Sequence, residues 1–387
     1  MEEKIKSYIK ETLEEVAQAI ETGSFGKKTR VGITTLGSEH GEMEIVRGAE
    51  LASYRNRHIE VVVIGHNVTT ELELIKVNSE EEAHEVMNRM LADGSLDASV
   101  TMHYNFPIGV STVGRVITPG RGTKMFIANT TGTSHTNRSV SMIKNTISGI
   151  AVAKACGIKN PTVGILNIDG ARQVEKALRK LAENGYDIEF TESARSDGGI
   201  VMRGNDLLIG VPNVMTMDSL TGNVMMKIFG AYGSGGDYES IGYGYGPGVG
   251  EGYDKIVCII SRASGSNVIA GAIGYAAVCA YGKLTEKVDD EYYKANLAGL
   301  KHTVEEILAK DAKGSSKDDG GVKMPPAKPT SADISGIEIL ELDDAVESLW
   351  KENIYATSGM GCTGPIVMIA EEDKEKAKEI LKSKGFL

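Results

Sequence analysis

Cys362 sits in the run Thr357 to Pro365 (TSGMGCTGP), framed by Gly359, Gly361 and Gly364. A thiol works as a nucleophile when it is accessible, has a lowered pKa and has donors near the developing oxyanion. The three glycines let backbone amides turn toward an acyl oxygen or a phosphate, and Thr357, Ser358 and Thr363 add hydroxyl donors. A structural cysteine in a tight turn explains the same run, so both readings stay open. Two further runs carry anion-binding groups. Met217 to Lys227 (MDSLTGNVMMK) places Thr221, Gly222 and Asn223 behind Asp218 at the start of a helix. A helix N-terminus attracts anions through its free N–H groups and its dipole, although simple capping by Asp218 accounts for the same residues. Ser261 to Ser266 (SRASGS) supplies Arg262 with Ser261 and Ser264 at a strand-to-helix turn. Arg262 would clamp an oxyanion through two N–H groups. An arginine on a surface turn is the plain alternative.

Other chemistry is absent or weak. Gly37 to Gly41 (GSEHG) offers Ser38, Glu39 and His40 after the first strand, a place where a histidine is ordinarily just solvated. There is no GxxxxGK[ST], HExxH, EF-hand or Cys/His metal spacing, so no metal is expected. No GxSxG elbow indicates a hydrolase triad. No GxGxxG with a following acidic residue stands after the first strand, which disfavours a nicotinamide dehydrogenase. Cys156, Cys258 and Cys279 lie in apolar or helical surroundings and read as small core residues.

These runs need elements to position them. Residues 2–22 carry Ile5, Tyr8, Ile9, Leu13, Val16 and Ile20 at helical spacing, and Gly23 supplies the stop. From Arg30 the pattern alternates. Strands are expected at Val31 to Thr35, Ile59 to Gly65, Leu96 to Met102, Val163 to Ile168, 208–216 and 255–261. Helices are expected at Glu42 to Arg55, at Ser79 to Leu91 with Ser79 and Glu82 as a capping box, and at Ala171 to Glu183. Alternation of this kind implies parallel pairing and a layered α/β fold, with ligands beyond the carboxyl ends of strands. Ten of the 23 residues from Gly230 to Gly252 are glycine, which suits a mobile lid, a phosphate-lining loop or a flexible connection. Residues 311–333 read as a linker. Behind it come a strand (Ile337 to Leu342), a helix (Asp343 to Glu352), a loop, a strand (Ile366 to Ala370) and a helix (Glu371 to Ser383).

Composition narrows the class. The 387 residues carry 42 Lys+Arg against 53 Asp+Glu, a net −11, which is a poor basis for binding nucleic acid. No apolar run reaches the ~20 residues of a membrane helix; Asn267 to Tyr281 is shorter and reads as a buried helix. The N-terminus has no apolar signal core, and four scattered cysteines fit a reducing cytoplasm. The 46 glycines exceed the ordinary share and point to tight turns and close backbone approaches.

The runs TLGSEHGEMEIVRGAELA, GIKNPTVGILNI, RGNDLLIGVPNVMTMDSLTGNVMMK and SRASGSNVIAGAI are similar, in order, to bacterial phosphate acyltransferases. DSLTGNVMMK is the most specific. This resemblance implies a three-layer α/β/α fold of the isocitrate/isopropylmalate dehydrogenase-like, phosphotransacetylase-like kind over 30–283, in two lobes around a cleft. An N-terminal helix (1–29) and a C-terminal α/β extension (284–387) would flank it. The N-terminal helix, the linker and the tail TSGMGCTGPIVMIA resemble the smaller (alpha) subunits of protein C in glycine/sarcosine/betaine reductase complexes. Such a subunit is expected to release acetyl phosphate from an enzyme-bound acetyl thioester by attack of inorganic phosphate, with no cofactor. The implied partners are the larger (beta) subunit of protein C and selenoprotein A as donor of the two-carbon unit, in an oligomer. Cys362 would carry the acetyl group, and Thr221, Gly222, Asn223, Ser261, Arg262 and Ser264 would line the phosphate site. Acyltransferases of this kind use no covalent cysteine and end near 283, so the role of Cys362 rests on the reductase resemblance and its own loop. A phosphate acyltransferase of lipid synthesis and a non-catalytic assembly subunit are the alternatives.

Overall fold

The computed structural model describes residues 28–196, 198–314, 322–337, 341–361 and 364–387, with 10, 12, 13, 16 and 17 of the N-terminal segment. The helix expected over 2–22 therefore lies mostly outside the described residues. The first lobe runs β1 (Thr29–Thr34), α1 (Glu42–Arg55), β2 (Ile59–Gly65), β3 (Glu73–Lys76), α2 (Glu80–Ala92) and β4 (Ala98–Thr101). The second runs β5 (Val110–Ile117), β6 (Lys124–Thr133), α3 (Arg138–Ala155), β7 (Thr162–Leu166), α4 (Ala171–Glu183), β8 (Glu189–Phe190), β9 (Val201–Met202), α5 (Gly204–Ile209), β10 (Val214–Thr216) and α6 (Ser219–Ala231). The chain then returns through β11 (Gly246–Val249), β12 (Val257–Ile259) and α7 (Ser266–Tyr281).

One sheet spans both lobes in the order β3-β2-β1-β4-β12-β11-β5-β6-β10-β7-β8, with β9 beside β7. Pairing is parallel in each half and antiparallel where β11 and β5 join them. Helices cover both faces, so interior strands read as continuous apolar runs. In β2, Val61 and Val63 enter one core with α1, α3 and α7, while Val62 and Ile64 enter another with α2 and α6. That alternation is the three-layer arrangement the family resemblance implied. Ser79 caps α2 as expected, its hydroxyl accepting from the Glu82 N–H at 3.2 Å.

Three parts of the body differ from the sequence reading. Residues 208–216, expected as a strand, divide into the end of α5, a turn and the short β10. The glycine-rich run is no lid over its second half. It forms the buried strand β11, where a Cβ on Gly246 would lie 1.8 Å from the Val113 carbonyl oxygen, and glycine is needed for close passage. The body does not end at 283. Helices α8 (Leu284–Leu297) and α9 (Leu300–Gly314) join the same core through Val288, Tyr292 and Ile307. Buried Glu291 fixes α8 to the body, accepting from Lys154 Nζ at 2.7 Å and Tyr186 OH at 2.9 Å.

The C-terminal unit comprises β13 (Ala332–Ser335), α10 (Leu342–Lys351), β14 (Ala356–Gly361), β15 (Gly364–Ile369) and α11 (Lys374–Ser383). Its strands pair β13-β15-β14, all antiparallel, around a separate small core that includes Ile334, Leu349 and Leu381. Its first strand lies at 332–335, ahead of the expected 337–342, of which 338–340 are outside the described residues. The run read as a loop around Cys362 is instead a hairpin, with Gly361 opposite Gly364. Cys362 and Thr363 themselves lie outside the described residues. No single helix among the described residues is long and apolar enough to cross a membrane.

Candidate functional site

One cleft is lined by Met102 just after β4, by Ile259 to Ala263 at and after the end of β12, by Thr131 of β6 and by Asn223 and Lys227 of α6. The turn after β12 is built by its own serines. Ser261 N–H donates to Ser264 Oγ at 3.1 Å, and Ala263 N–H donates to Ser261 Oγ at 3.2 Å. The loop after β1 is tied on through Glu39 N–H, which donates to the Arg262 carbonyl at 2.9 Å. Arg262 thereby projects into the cleft. Its nearest carboxylate is Glu80 at 3.9 Å, and its Nε is buried without a hydrogen-bond partner among the described residues. A guanidinium with an unmet donor is prepared for an anion.

Two chambers meet at Arg262. The first, about 290 Å³, is lined by Glu39, Thr131, Asn223, Lys227, Ser261 and Arg262 among others. The second, about 260 Å³, lies between the body and the C-terminal unit, lined by His103, Tyr104, Phe106 and Thr330 with Ile366 and Met368 of β15. Thr131, Ile259 and Arg262 belong to both and form the waist. The first chamber gathers cationic and hydroxyl groups. The second is the more apolar and is walled by a strand of the hairpin that leads into Cys362.

The sequence-selected residues divide accordingly. Asn223, Ser261 and Arg262 share the first chamber. Thr221 and Gly222 do not line it, because their donors are engaged in the helix cap. Thr221 N–H and Oγ1 donate to the Asp218 carboxylate at 3.0 and 2.9 Å, and Gly222 N–H donates to the Asp218 carbonyl at 2.9 Å. Gly222 serves close packing, since a Cβ there would lie 1.7 Å from the Asn129 carbonyl oxygen. Arg138 donates to Asp218 at 2.9 Å. Burial pushes the Asp218 carboxyl up, but the bonds from Thr221 and Arg138 outweigh it and hold it below the usual range. With a carboxylate on its N-terminus, α6 does not offer that end to a second anion. Ser264 is fully buried and braces the turn. Gly359 pairs with Ile366 inside the hairpin. Ser38 and His40 bond to each other through His40 N–H at 3.2 Å, and Glu39 is the member of that loop that reaches the cleft.

Three contributors escaped the sequence reading. Lys227 lies one helical turn after Asn223, so the i, i+4 spacing was legible. Thr131 stands near the end of β6, in a stretch read neither as strand nor as site. Glu239 lies in the glycine-rich run and is 5 % exposed. Its carboxylate accepts from Tyr245 OH at 3.0 Å and from Ser264 Oγ at 3.1 Å, and its N–H donates to the Ala263 carbonyl at 3.0 Å. Burial pushes its carboxyl up, against lowering by Tyr245, Lys227 and Ser264. A chain of bonds then runs from the turn after β12 to α6: Thr130 Oγ1 donates to the Tyr245 carbonyl at 2.7 Å, and Asn223 Nδ2 donates to the Thr130 carbonyl at 3.1 Å. The two lobes are coupled behind the site by this network.

Cys258 and Cys279 are fully buried, and burial pushes both thiols up, out of the reactive range. Among the described residues no three His, Cys, Asp or Glu side chains converge as metal ligands.

Comparison with known proteins gives four findings. Residues 29–368 match the family described as "Fatty acid synthesis protein". The chain is 55% identical, over 99% of both chains, to the glycine/sarcosine/betaine reductase complex component C subunit alpha of Peptoclostridium acidaminophilum. It is 25% identical to the phosphate acyltransferase of Thermotoga neapolitana, over 51% of this chain and 68% of that one. Among solved structures, a branched-chain phosphotransacylase from Enterococcus faecalis V583 aligns at 16% identity with a TM-score of 0.46, covering 65% of this chain and 99% of that one.

Proposed function

The chain belongs to the fatty acid synthesis protein family and, within it, to the component C alpha subunits of glycine/sarcosine/betaine reductase complexes, and from that premise we propose that it forms acetyl phosphate by phosphorolysis of an acetyl thioester. The observation that carries the proposal is the meeting of a cationic chamber and a hairpin-walled chamber at Arg262. Phosphate occupies the first, held by Arg262, Lys227 and Ser261. The thioester arm enters through the second, so its carbonyl carbon comes to rest at the waist. Attack brings negative charge to the carbonyl oxygen, where the Arg262 guanidinium and the amide of Asn223 are the donors at hand. Binding both partners in one cleft removes the entropic barrier of a bimolecular encounter.

Cys362 is the proposed carrier of the acetyl group, delivered by the hairpin whose β15 residues wall the second chamber. The proposed partners are the larger beta subunit of the same component and selenoprotein A as the donor. Mass spectrometry after incubation with an acetyl donor, without phosphate, tests the carrier role. One added acetyl on the peptide holding Cys362, absent in Cys362→Ala, is the expected result; an unmodified peptide with continued turnover removes Cys362 from the reaction. The relationship to phosphate acyltransferases motivates a second comparison. Acetyl donors should outrun palmitoyl donors in phosphate-dependent turnover. A preference for palmitoyl would assign the chain to lipid synthesis instead, and loss of all turnover, with co-purification of a partner, would mark an assembly subunit.

A further inference from the structure

Phosphorolysis leaves one proton to be placed. An alkyl thiol has a pKa of about 8.5, so its thiolate leaves poorly at neutral pH unless it is protonated as the C–S bond breaks. The second chamber receives that sulfur. Of the titratable groups lining the two chambers, Glu39, Lys227 and Tyr245 stand in the phosphate chamber and Arg262 at the waist. His103, Tyr104 and Asp333 stand on the hairpin side. Only an imidazole among these ordinarily changes charge near neutral pH.

The position of His103 is built rather than incidental. It follows β4, and Thr101 Oγ1 fixes its backbone by donating to the His103 carbonyl at 3.3 Å. Thr101 is itself held by Thr34 Oγ1 at 2.7 Å and contacts His84 Nε2 at 3.1 Å. His84, on α2, stands behind it. Burial pushes the His84 imidazole down and the charge of His103 pushes it further, against the pull of Glu80 and Glu81 on the same helix. His84 is turned to Thr101 Oγ1, and His103 is the ring that lines the chamber.

Resting on the phosphorolysis reading, we infer that His103 is the catalytic acid that protonates the departing thiolate. An unprotonated oxygen of HPO4²⁻ forms the new C–O bond. The C–S bond breaks with its electron pair on sulfur, and sulfur takes the proton from the His103 imidazolium. The acyl phosphate is born with the P–OH proton of the nucleophile and returns it to the neutral imidazole. The sum is thioester plus HPO4²⁻ giving acetyl phosphate dianion plus thiol, with no outside acid or redox partner.

The test follows release of the donor's own thiol in the first turnover of the full chain with inorganic phosphate and two donors, the step in which the donor's C–S bond breaks whether Cys362 or phosphate attacks it. S-acetyl-N-acetylcysteamine has an alkyl thiolate that needs a proton; S-phenyl thioacetate has an aryl thiolate that does not. His103→Gln should slow the alkyl donor about 100-fold or more, and the aryl donor by less than about fivefold. His103→Asn should show the same split, and retained aryl turnover shows that each variant is folded. Equal loss with both donors in both variants, or no loss with the alkyl donor, overturns the inference. A wild-type chain inert toward both donors overturns the phosphorolysis reading itself, a result distinct from either.

Discussion

Gly222→Ala perturbs the site without touching a proposed ligand. The added methyl would lie 1.7 Å from the Asn129 carbonyl oxygen, and the atom it meets is backbone in the central strand β6. Neither side can yield by rotating a side chain, so α6 must retreat by well over an ångström. The bond from Asn223 Nδ2 to the Thr130 carbonyl, 3.1 Å in the wild type, cannot survive that retreat. Overpacking costs ~1–3 kcal/mol and the lost hydrogen bond adds ~1, so a loss of about 3 kcal/mol is expected. At ~2–4 °C per kcal/mol for a body of this size, Tm falls by roughly 6–12 °C. Asn223 and Lys227 move with the helix, so phosphate-dependent turnover should fall as well. Gly204→Ala is the control, because a Cβ there meets nothing within 4 Å. It should change stability by less than ~1 kcal/mol. Thermal melts followed by far-UV circular dichroism decide the matter. A Gly222→Ala melt within roughly 2 °C of wild type would refute the close-packing account of this glycine.

Other outcomes follow from the same geometry. Burial raises the Glu239 carboxyl above its ordinary 4.5, so wild-type stability is fullest below that value and is lost as pH rises through the raised one. Glu239→Gln has no such proton to lose and should gain on wild type between pH 4.5 and 8 in urea melts; a stability difference that stays constant over this range contradicts the buried-carboxyl assignment. Trp350 is the single tryptophan of the chain, and its Nε1 donates to the Ala356 carbonyl at 2.8 Å inside the C-terminal unit. Its fluorescence should report an unfolding transition at lower urea than far-UV circular dichroism, because that unit has its own small core; coincident transitions would mean that body and C-terminal unit unfold together. Arg262→Lys keeps the charge and loses the two-pronged N–H geometry, so it should raise the KM for phosphate while Arg262→Ala also lowers kcat. Wild-type kinetics in both variants would leave Arg262 a bystander.

The sequence displayed the parallel strands and the capped helices well, because IEVVVIG and the Ser79–Glu82 pair answer to local rules. The strand-to-helix turn SRASGS was legible for the same reason. Its serines bond within four residues of each other and need no distant partner. What escaped depends on contacts far along the chain. Glu239 matters through Ser264 and Tyr245, and nothing in GGDYESIG announces either. The glycines of 242–250 looked like mobility, yet they are required by neighbours such as Val113, more than 130 residues earlier. The run TSGMGCTGP, with three glycines, a proline and no Val or Ile, has little strand propensity of its own and pairs as a hairpin because β13 and α10 give it a sheet and a core. Helix α8 was unread because its buried face includes Glu291, a charge acceptable there only with Lys154 and Tyr186 as partners.

The central claim is that phosphate attacks an acyl group beside Arg262. Supplying the full chain with an acetyl thioester and ³²P-labelled inorganic phosphate measures this directly. Labelled acetyl phosphate should form with saturation in phosphate, and Arg262→Ala should slow its appearance by about 10²-fold. No labelled acetyl phosphate, or the same rate in Arg262→Ala, would contradict the account.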